Sequence, residues 1–158
     1  MKRISALNVD SPIGALGLCA RDGRLVRVAF GGTEETEYKD PVLYETARQL
    51  EEYFRGERRE FTVPLSPDGT PFRKKVWAAL REIPYGETAT YSEIAAAVGS
   101  PKAARAVGMA NHVNPIPVII PCHRVVGKSG SLVGYAGGLE IKRMLIDIEK
   151  HGKTAVAT

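Results

Sequence analysis

Cysteine and histidine are scarce in this chain, with two and three residues respectively, and there is a single tryptophan. Cys19 and Cys122 stand far apart and make no disulfide framework. Together with His112, His123 and His151 they show no zinc-ligand spacing, so no metal site and no cofactor are expected. Long apolar runs are also missing: none approaches the roughly 20 residues that span a bilayer, and no membrane partner is expected. The opening residues, MKRISALNVDSP, contain no signal-peptide core, which makes a cytoplasmic location the expectation. Acidic residues are absent between Glu93 and Glu140, whereas Lys102, Arg105, Arg124 and Lys128 all fall there. The net charge of +4 is uneven in the same sense: ten basic against eleven acidic residues over 1–64, then twelve against seven over 65–158. An acid-free stretch of this length points to a polyanionic partner, although a chance gap in a mildly basic protein has the same appearance.

What is present is the composition of a globular protein, 44% apolar and 25% charged over 158 residues, enough for one ordinary domain or two small ones. Ile4–Val9, Gly14–Ala20 and Leu25–Phe30 alternate as strands do, and Arg21-Asp22-Gly23 is a hairpin signal. Gly31–Lys39 is a polar loop. Leu43, Ala47, Leu50 and Phe54 recur at helical spacing over Pro41–Arg55, with Gly56 placed to follow the helix end. Glu60–Val63 suits one more short strand. Residues 1–64 therefore read as a small α+β support domain, in which Cys19 is a core residue. Residues 65–70, with Pro67, Asp68 and Gly69 together, read as a linker, and 71–158 as a second domain.

Thr70-Pro71 opens a helix, a cap followed by proline in the first turn, with Phe72, Val76, Leu80 and Ile83 as its apolar stripe. Trp77 suits the core, and Pro84-Tyr85-Gly86 ends the helix. Thr90–Val113 reads as a helix-turn-helix: Ser92–Val98, a Gly99-Ser100-Pro101 turn, then Lys102–Asn111. The second helix offers Ala103, Ala104, Arg105, Ala106, Val107 and Gly108, too few long polar groups to read much base sequence. Small residues there suit close, non-specific contact with a minor groove, with Arg105 free to fill a gap in a base stack. They equally suit a buried Ala-rich helix with Arg105 in a salt bridge. Leu139–Lys150 is a closing helix with Ile141, Leu145 and Ile148 inward and Glu149 at its end, where an acid opposes the helix dipole unless it has a partner. His151–Thr158 reads as a frayed tail.

The stretch around which the rest is organised is Asn114–Val126, NPIPVIIPCHRVV. Pro115, Pro117 and Pro121 fix φ and remove amide donors, so the segment is not a central strand. It reads as a stiff, buried, extended run that delivers Cys122 to a fixed place. Beside His123 and Arg124, its thiol is expected to be biased toward the nucleophilic thiolate. Cys-His by itself more often marks a buried structural cysteine; the proline scaffold and its flanks tip the balance. Gly134-Tyr135-Ala136-Gly137-Gly138 is compact and suits a pocket wall.

The succession of helix-turn-helix, Asn114-Pro115, Pro121-Cys122-His123-Arg124-Val125 and Gly134-Tyr135-Ala136-Gly137-Gly138 resembles the O6-alkylguanine-DNA alkyltransferases, also called methylated-DNA–protein-cysteine methyltransferases. The likeness is greatest from about Pro71 to Gly152, and SPIGALGL with the DG hairpin is similar to that family's more variable N-terminal domain. The resemblance implies an α+β fold, in which a small sheet-plus-helix (RNase H-like) domain precedes a mostly helical domain with a helix-turn-helix. It implies repair by direct reversal, in which a monomer moves an alkyl group from guanine O6 in double-stranded DNA to its own cysteine, once and irreversibly; thymine O4 is left open as a second donor. Cys122 is then the acceptor. His123 activates it through a water, Glu149 orients His123, Tyr91 helps protonate the leaving base, and Asn114 is the hinge before the loop. Tyr91, Ala103, Ala104, Arg105, Gly108 and Arg124 would contact DNA, and Pro117, Val125, Tyr135 and Ala136 would line the pocket. Some members have Ser where Ala136 stands. Zinc-binding members use N-terminal Cys and His residues absent here, so no structural zinc is implied. Two other readings stand beside this one. A non-catalytic lesion-binding protein of the same architecture would lack the acceptor cysteine. A thiol hydrolase would use Cys122 and His123, but adjacent residues make poor geometry for a direct dyad.

Overall fold

The computed structural model describes residues 3–135 and 137–157, with side chains as far as residue 152. The chain divides into two compact units, Met1–Asp68 and Gly69–Thr158. Together they give the α+β architecture expected, a small sheet followed by a helical unit.

The first unit is an antiparallel sheet in the order β1 (Ser5–Val9), β2 (Leu16–Arg21), β3 (Arg24–Phe30), with α1 (Pro41–Phe54) packed on it. The central strand is its core, with Leu16, Leu18 and Ala20 fully enclosed. Asp22 and Gly23 close the β2–β3 hairpin with φ of 53° and 74°, the left-handed pair that a two-residue hairpin loop requires. Asp40 ties this turn to the helix: one carboxylate oxygen accepts from Gly23 N at 2.8 Å and the other caps α1 by accepting from Val42 N at 3.0 Å. The strand expected at Glu60–Val63 does not form. Thr62 instead exchanges hydrogen bonds with the Gln49 side chain, and the sheet gains only a bridge between Leu25 and Leu65. Pro64 has no N–H to give a ladder; its carbonyl accepts from Leu25 N, and Ser66 N donates back to Leu25 O.

The second unit holds α2 (Pro71–Leu80), α3 (Tyr91–Ala97), α4 (Ala104–His112) and α5 (Leu139–Ala157). Two short strands, β4 (Ala89–Thr90) and β5 (Val125–Val126), pair in parallel. Val76, Trp77 and Leu80 bury the inner face of α2, and Trp77 Nε1 donates to Ala110 O at 2.8 Å, pinning α2 to α4. α4 starts two residues later than the apolar pattern suggests, because Ser100 O accepts from Ala103 N and turns the chain first. α5 runs on through Ala157, so residues 151–157 of the tail expected to fray are helical, and Glu149 lies inside the helix rather than at its end.

α3 begins with a reciprocal cap that the sequence displays as Thr90-x-x-Glu93. Thr90 Oγ1 accepts from Glu93 N at 3.1 Å, and Glu93 Oε1 accepts from Thr90 N at 3.0 Å. Thr90→Ala is expected to cost about 1 kcal/mol of unfolding free energy in a denaturant titration. It also loosens the first helical residue, Tyr91.

Candidate active site

The chain reaches Cys122 through a loop whose strain is held by packing. Asn114, just past α4, clasps the loop at both ends: its Oδ1 accepts from Ile116 N at 2.9 Å and its Nδ2 donates to Ile120 O at 2.8 Å. Between these points Ile116, Val118, Ile119 and Ile120 are all enclosed. Val118 sits at φ 74°, a conformation disfavoured for a β-branched residue and maintained only where surroundings over-determine it. Pro121 then leads into a 3-10 turn, Cys122–Arg124. Asn111 on α4 donates from Nδ2 to Cys122 O at 3.3 Å and fixes the carbonyl of the cysteine itself.

The parallel β4–β5 pair explains why distant residues meet. β4 runs directly into Tyr91, and β5 follows directly from Arg124; pairing Ala89 with Val125 and Thr90 with Val126 therefore brings the start of α3 beside the cysteine turn.

Cys122 is 3% exposed, and burial pushes its thiol up to about 11, against smaller downward pulls from Asn114, Tyr135 and Lys142. This corrects the expectation of a resting thiolate. The two groups named for that role, His123 and Arg124, are both engaged by Glu149, and neither is among the groups that pull the thiol down. His123 Nε2 lies 2.6 Å from Glu149 Oε2, and Arg124 reaches the same carboxylate from Nε at 2.8 Å and Nη2 at 3.1 Å. Arg124 also donates from Nη1 to Ile83 O at 2.7 Å. At 7% exposure it is an internal cation, not a residue of the DNA-facing surface as expected.

Glu149 is the hub of this cluster. Burial would raise its carboxyl, but the hydrogen bonds and charges of His123 and Arg124 outweigh that and hold it at about 2. Its partners, rather than a position at a helix end, explain why an acid stands there. The His123 imidazole is drawn below its ordinary value by burial, against the opposite pull of Glu149. A neutral ring with Nε2–H donated to Glu149 leaves Nδ1 as the acceptor nitrogen, and Nδ1 is buried without a hydrogen-bond partner among the described residues.

At the mouth stands Tyr91, half-buried, whose hydroxyl donates to Val133 O at 3.4 Å. Burial, then the neighbouring Cys122, raises its pKa, so the phenol stays protonated. Gly108 faces its ring; a Cβ there would lie 3.9 Å from Cε1. Ala104 and Arg105 lie in the first turn of α4, Ala103 at its N-cap, and Arg105 is exposed with no ion pair among the described residues. This decides against the buried-helix alternative for Arg105. Pro117 and Val125 are buried, and Tyr135 is enclosed beside the sulfur, its pKa raised well above the ordinary value by burial and then by Cys122. Ala136 falls outside the described residues. Among the described residues no cluster of three His, Cys, Asp or Glu side chains could hold a metal ion.

Two residues of the site carried no signal in the reading of the sequence. Asn111 is hidden in the apolar spacing of α4. Lys142, in the first turn of α5, takes the inward place expected of an isoleucine: the enclosed face is Lys142, Leu145 and Glu149, with Ile141 and Ile148 only half-buried at its flanks.

Residues 71–151 match the model of the 6-O-methylguanine DNA methyltransferase DNA binding domain, and residues 7–67 that of the 6-O-methylguanine DNA methyltransferase ribonuclease-like domain. A methylated-DNA–protein-cysteine methyltransferase of Bacillus subtilis is 49% identical over 152 residues, covering 89% of this chain and 92% of that protein. One of Methanosarcina acetivorans is 51% identical over 147 residues, covering 89% and 94%. Among solved structures, Mycobacterium tuberculosis OGT in complex with DNA is similar with a TM-score of 0.84 at 48% identity, covering 92% of each chain.

Proposed function

The chain belongs to the 6-O-methylguanine DNA methyltransferase family, and from that premise we propose that it repairs DNA by moving an alkyl group from guanine O6 to the sulfur of Cys122. Duplex DNA is held mainly through its phosphates, with α4 against the minor groove and the exposed Arg105 filling the stack that a flipped guanine vacates. The flipped base enters between Tyr91, Tyr135 and the segment that follows Gly134. Arg124 stays inside and steadies Glu149.

The reaction is a displacement. The resting thiol first loses its proton to a water that His123 Nδ1 polarises, while Glu149 fixes the imidazole from the other side. Sulfur then bonds to the alkyl carbon as the carbon–O6 bond breaks, and the electron pair leaves with guanine. Tyr91 donates a proton to the base and recovers one through solvent. No cofactor is called for, because the alkyl carbon is already electrophilic. The thioether product resists both water and a second thiol, so each molecule acts once. An extra methyl in the enclosed Cys122 site also overpacks it and destabilises the spent protein. We take the protein to act as a monomer in the cytoplasm. No helix among the described residues is long and apolar enough to cross a membrane.

The observation that carries this reading is the pairing of an enclosed thiol with a neighbouring imidazole whose Nε2 is committed to Glu149 and whose Nδ1 has no hydrogen-bond partner among the described residues. The test is intact and peptide mass after incubation with a duplex containing O6-methylguanine. One methyl group per protein, on the Cys122 peptide, is expected; an unmodified Cys122 peptide after full incubation refutes transfer.

A further inference from the structure

Lys142 is a charged side chain that the chemistry above leaves unused. It is fully enclosed, on the face of α5 that also carries Leu145 and Glu149. Lysine is almost never enclosed to that degree without partners. Here the partners are backbone carbonyls: Nζ donates to Val133 O at 2.8 Å and lies 3.5 Å from Gly134 O. These engage two of its three hydrogens without cancelling its charge. The Val133 carbonyl is shared, because the Tyr91 hydroxyl donates to the same oxygen across the mouth of the site. One oxygen thus joins α3, α5 and the segment that leads into Tyr135. Two donors occupy both of its lone pairs. A base that recruits the Tyr91 hydroxyl must take it from Val133, and Lys142 keeps that carbonyl satisfied when Tyr91 leaves. Among the groups that act on the sulfur, Asn114 and Tyr135 are neutral, whereas Lys142 brings positive charge.

We propose that Lys142 is a positioning residue for alkyl transfer: its ammonium fixes the Val133 and Gly134 carbonyls while Tyr91 turns to the base, and keeps a positive charge beside the sulfur as that atom becomes anionic. The inference rests on the alkyl-transfer reading. Burial draws the ammonium below its ordinary value, and the neighbouring Cys122 opposes that pull.

The test is single-turnover transfer by the full chain from a duplex containing O6-methylguanine, for the wild type, Lys142→Met and Lys142→Arg, each also in a Tyr91→Phe background. Binding to unmodified duplex is measured in parallel. Lys142→Met is expected to bind unmodified duplex as tightly as the wild type and to transfer about 100-fold more slowly at saturating DNA. Lys142→Arg, which keeps the charge and two donors, recovers part of the loss. The penalty of Lys142→Met shrinks in the Tyr91→Phe background, where no hydroxyl has to be released; a merely structural lysine would show no such coupling. A wild-type saturating rate for Lys142→Met overturns the proposal, and so does an undiminished penalty beside Tyr91→Phe. If Lys142→Met does not fold, Lys142→Gln, which retains a donor without the charge, carries the same comparisons. A wild type that transfers nothing overturns the underlying reading as well, whereas normal wild-type transfer with an unaffected Lys142 variant overturns only the role given to Lys142.

Discussion

Cys122→Ser is expected to abolish alkyl transfer, slowing it on the order of 10⁴-fold or more, while duplex binding is retained. The hydroxyl occupies nearly the same volume in a site that is 3% exposed, so the loop, the Asn114 clasp and α4 have no reason to move. What is lost is acidity and nucleophilicity. A thiol lifted to about 11 is within reach of a water polarised by a neutral imidazole, whereas an aliphatic hydroxyl is several units further away. Counting O6-methylguanine that remains in a duplex after incubation with excess protein measures this directly; complete clearance by the serine variant would contradict the chemistry. The same experiment run against pH separates the base from the nucleophile. His123 titrates below the ordinary imidazole value, so wild-type transfer should hold its rate through neutral pH and fall only in mild acid, when Nδ1 takes a proton and no longer accepts one.

Glu149→Leu is expected to be the most damaging single change to the fold, at about 3–5 kcal/mol, with transfer lost as well. The carboxylate accepts from Arg124 twice, from His123 and from Gly86 N at 3.3 Å. Without it a guanidinium at 7% exposure retains, among the described residues, the Ile83 carbonyl and the face of Tyr85, whose ring centre is 5.8 Å away. His123 loses the group that sets its tautomer at the same moment. Denaturant unfolding reads the first effect and single-turnover transfer the second. Because the folded-state pKa of Glu149 lies below its ordinary value of 4.5, its contribution is complete above that value and is lost as pH falls toward about 2. The wild type should therefore lose stability steeply over that interval, and Glu149→Gln should flatten that limb. An acid limb of equal depth in the glutamine variant would show that other carboxylates govern acid unfolding.

Much of this is legible in the sequence. The Asp22-Gly23 hairpin, Gly56 after α1, Thr70-Pro71 at the head of α2 and the Gly99-Ser100-Pro101 turn all act through local backbone preferences, which a reader of sequence can weigh one at a time. The expected strand at Glu60–Val63 failed for the opposite reason. Its backbone found a side chain 13 residues away, Gln49, and no local rule foresees that competitor.

The sequence by itself determined that one proline-braced cysteine lies among an imidazole, a guanidinium and a glycine-rich segment behind a helix-turn-helix, and to which family such an order belongs. Only the tertiary structure decided which of those groups serve one another. It turned Arg124 inward, committed His123 Nε2 to Glu149, and rotated α5 so that Lys142 and Glu149 face inside. The contacts responsible join residues 25, 26 and 41 positions apart, from Arg124 and His123 to Glu149 and from Arg124 to Ile83. Charge pairing in an enclosed site overrides the preference of apolar side chains for the interior, and a helix presents whichever face its buried partners can satisfy, something periodicity alone does not encode.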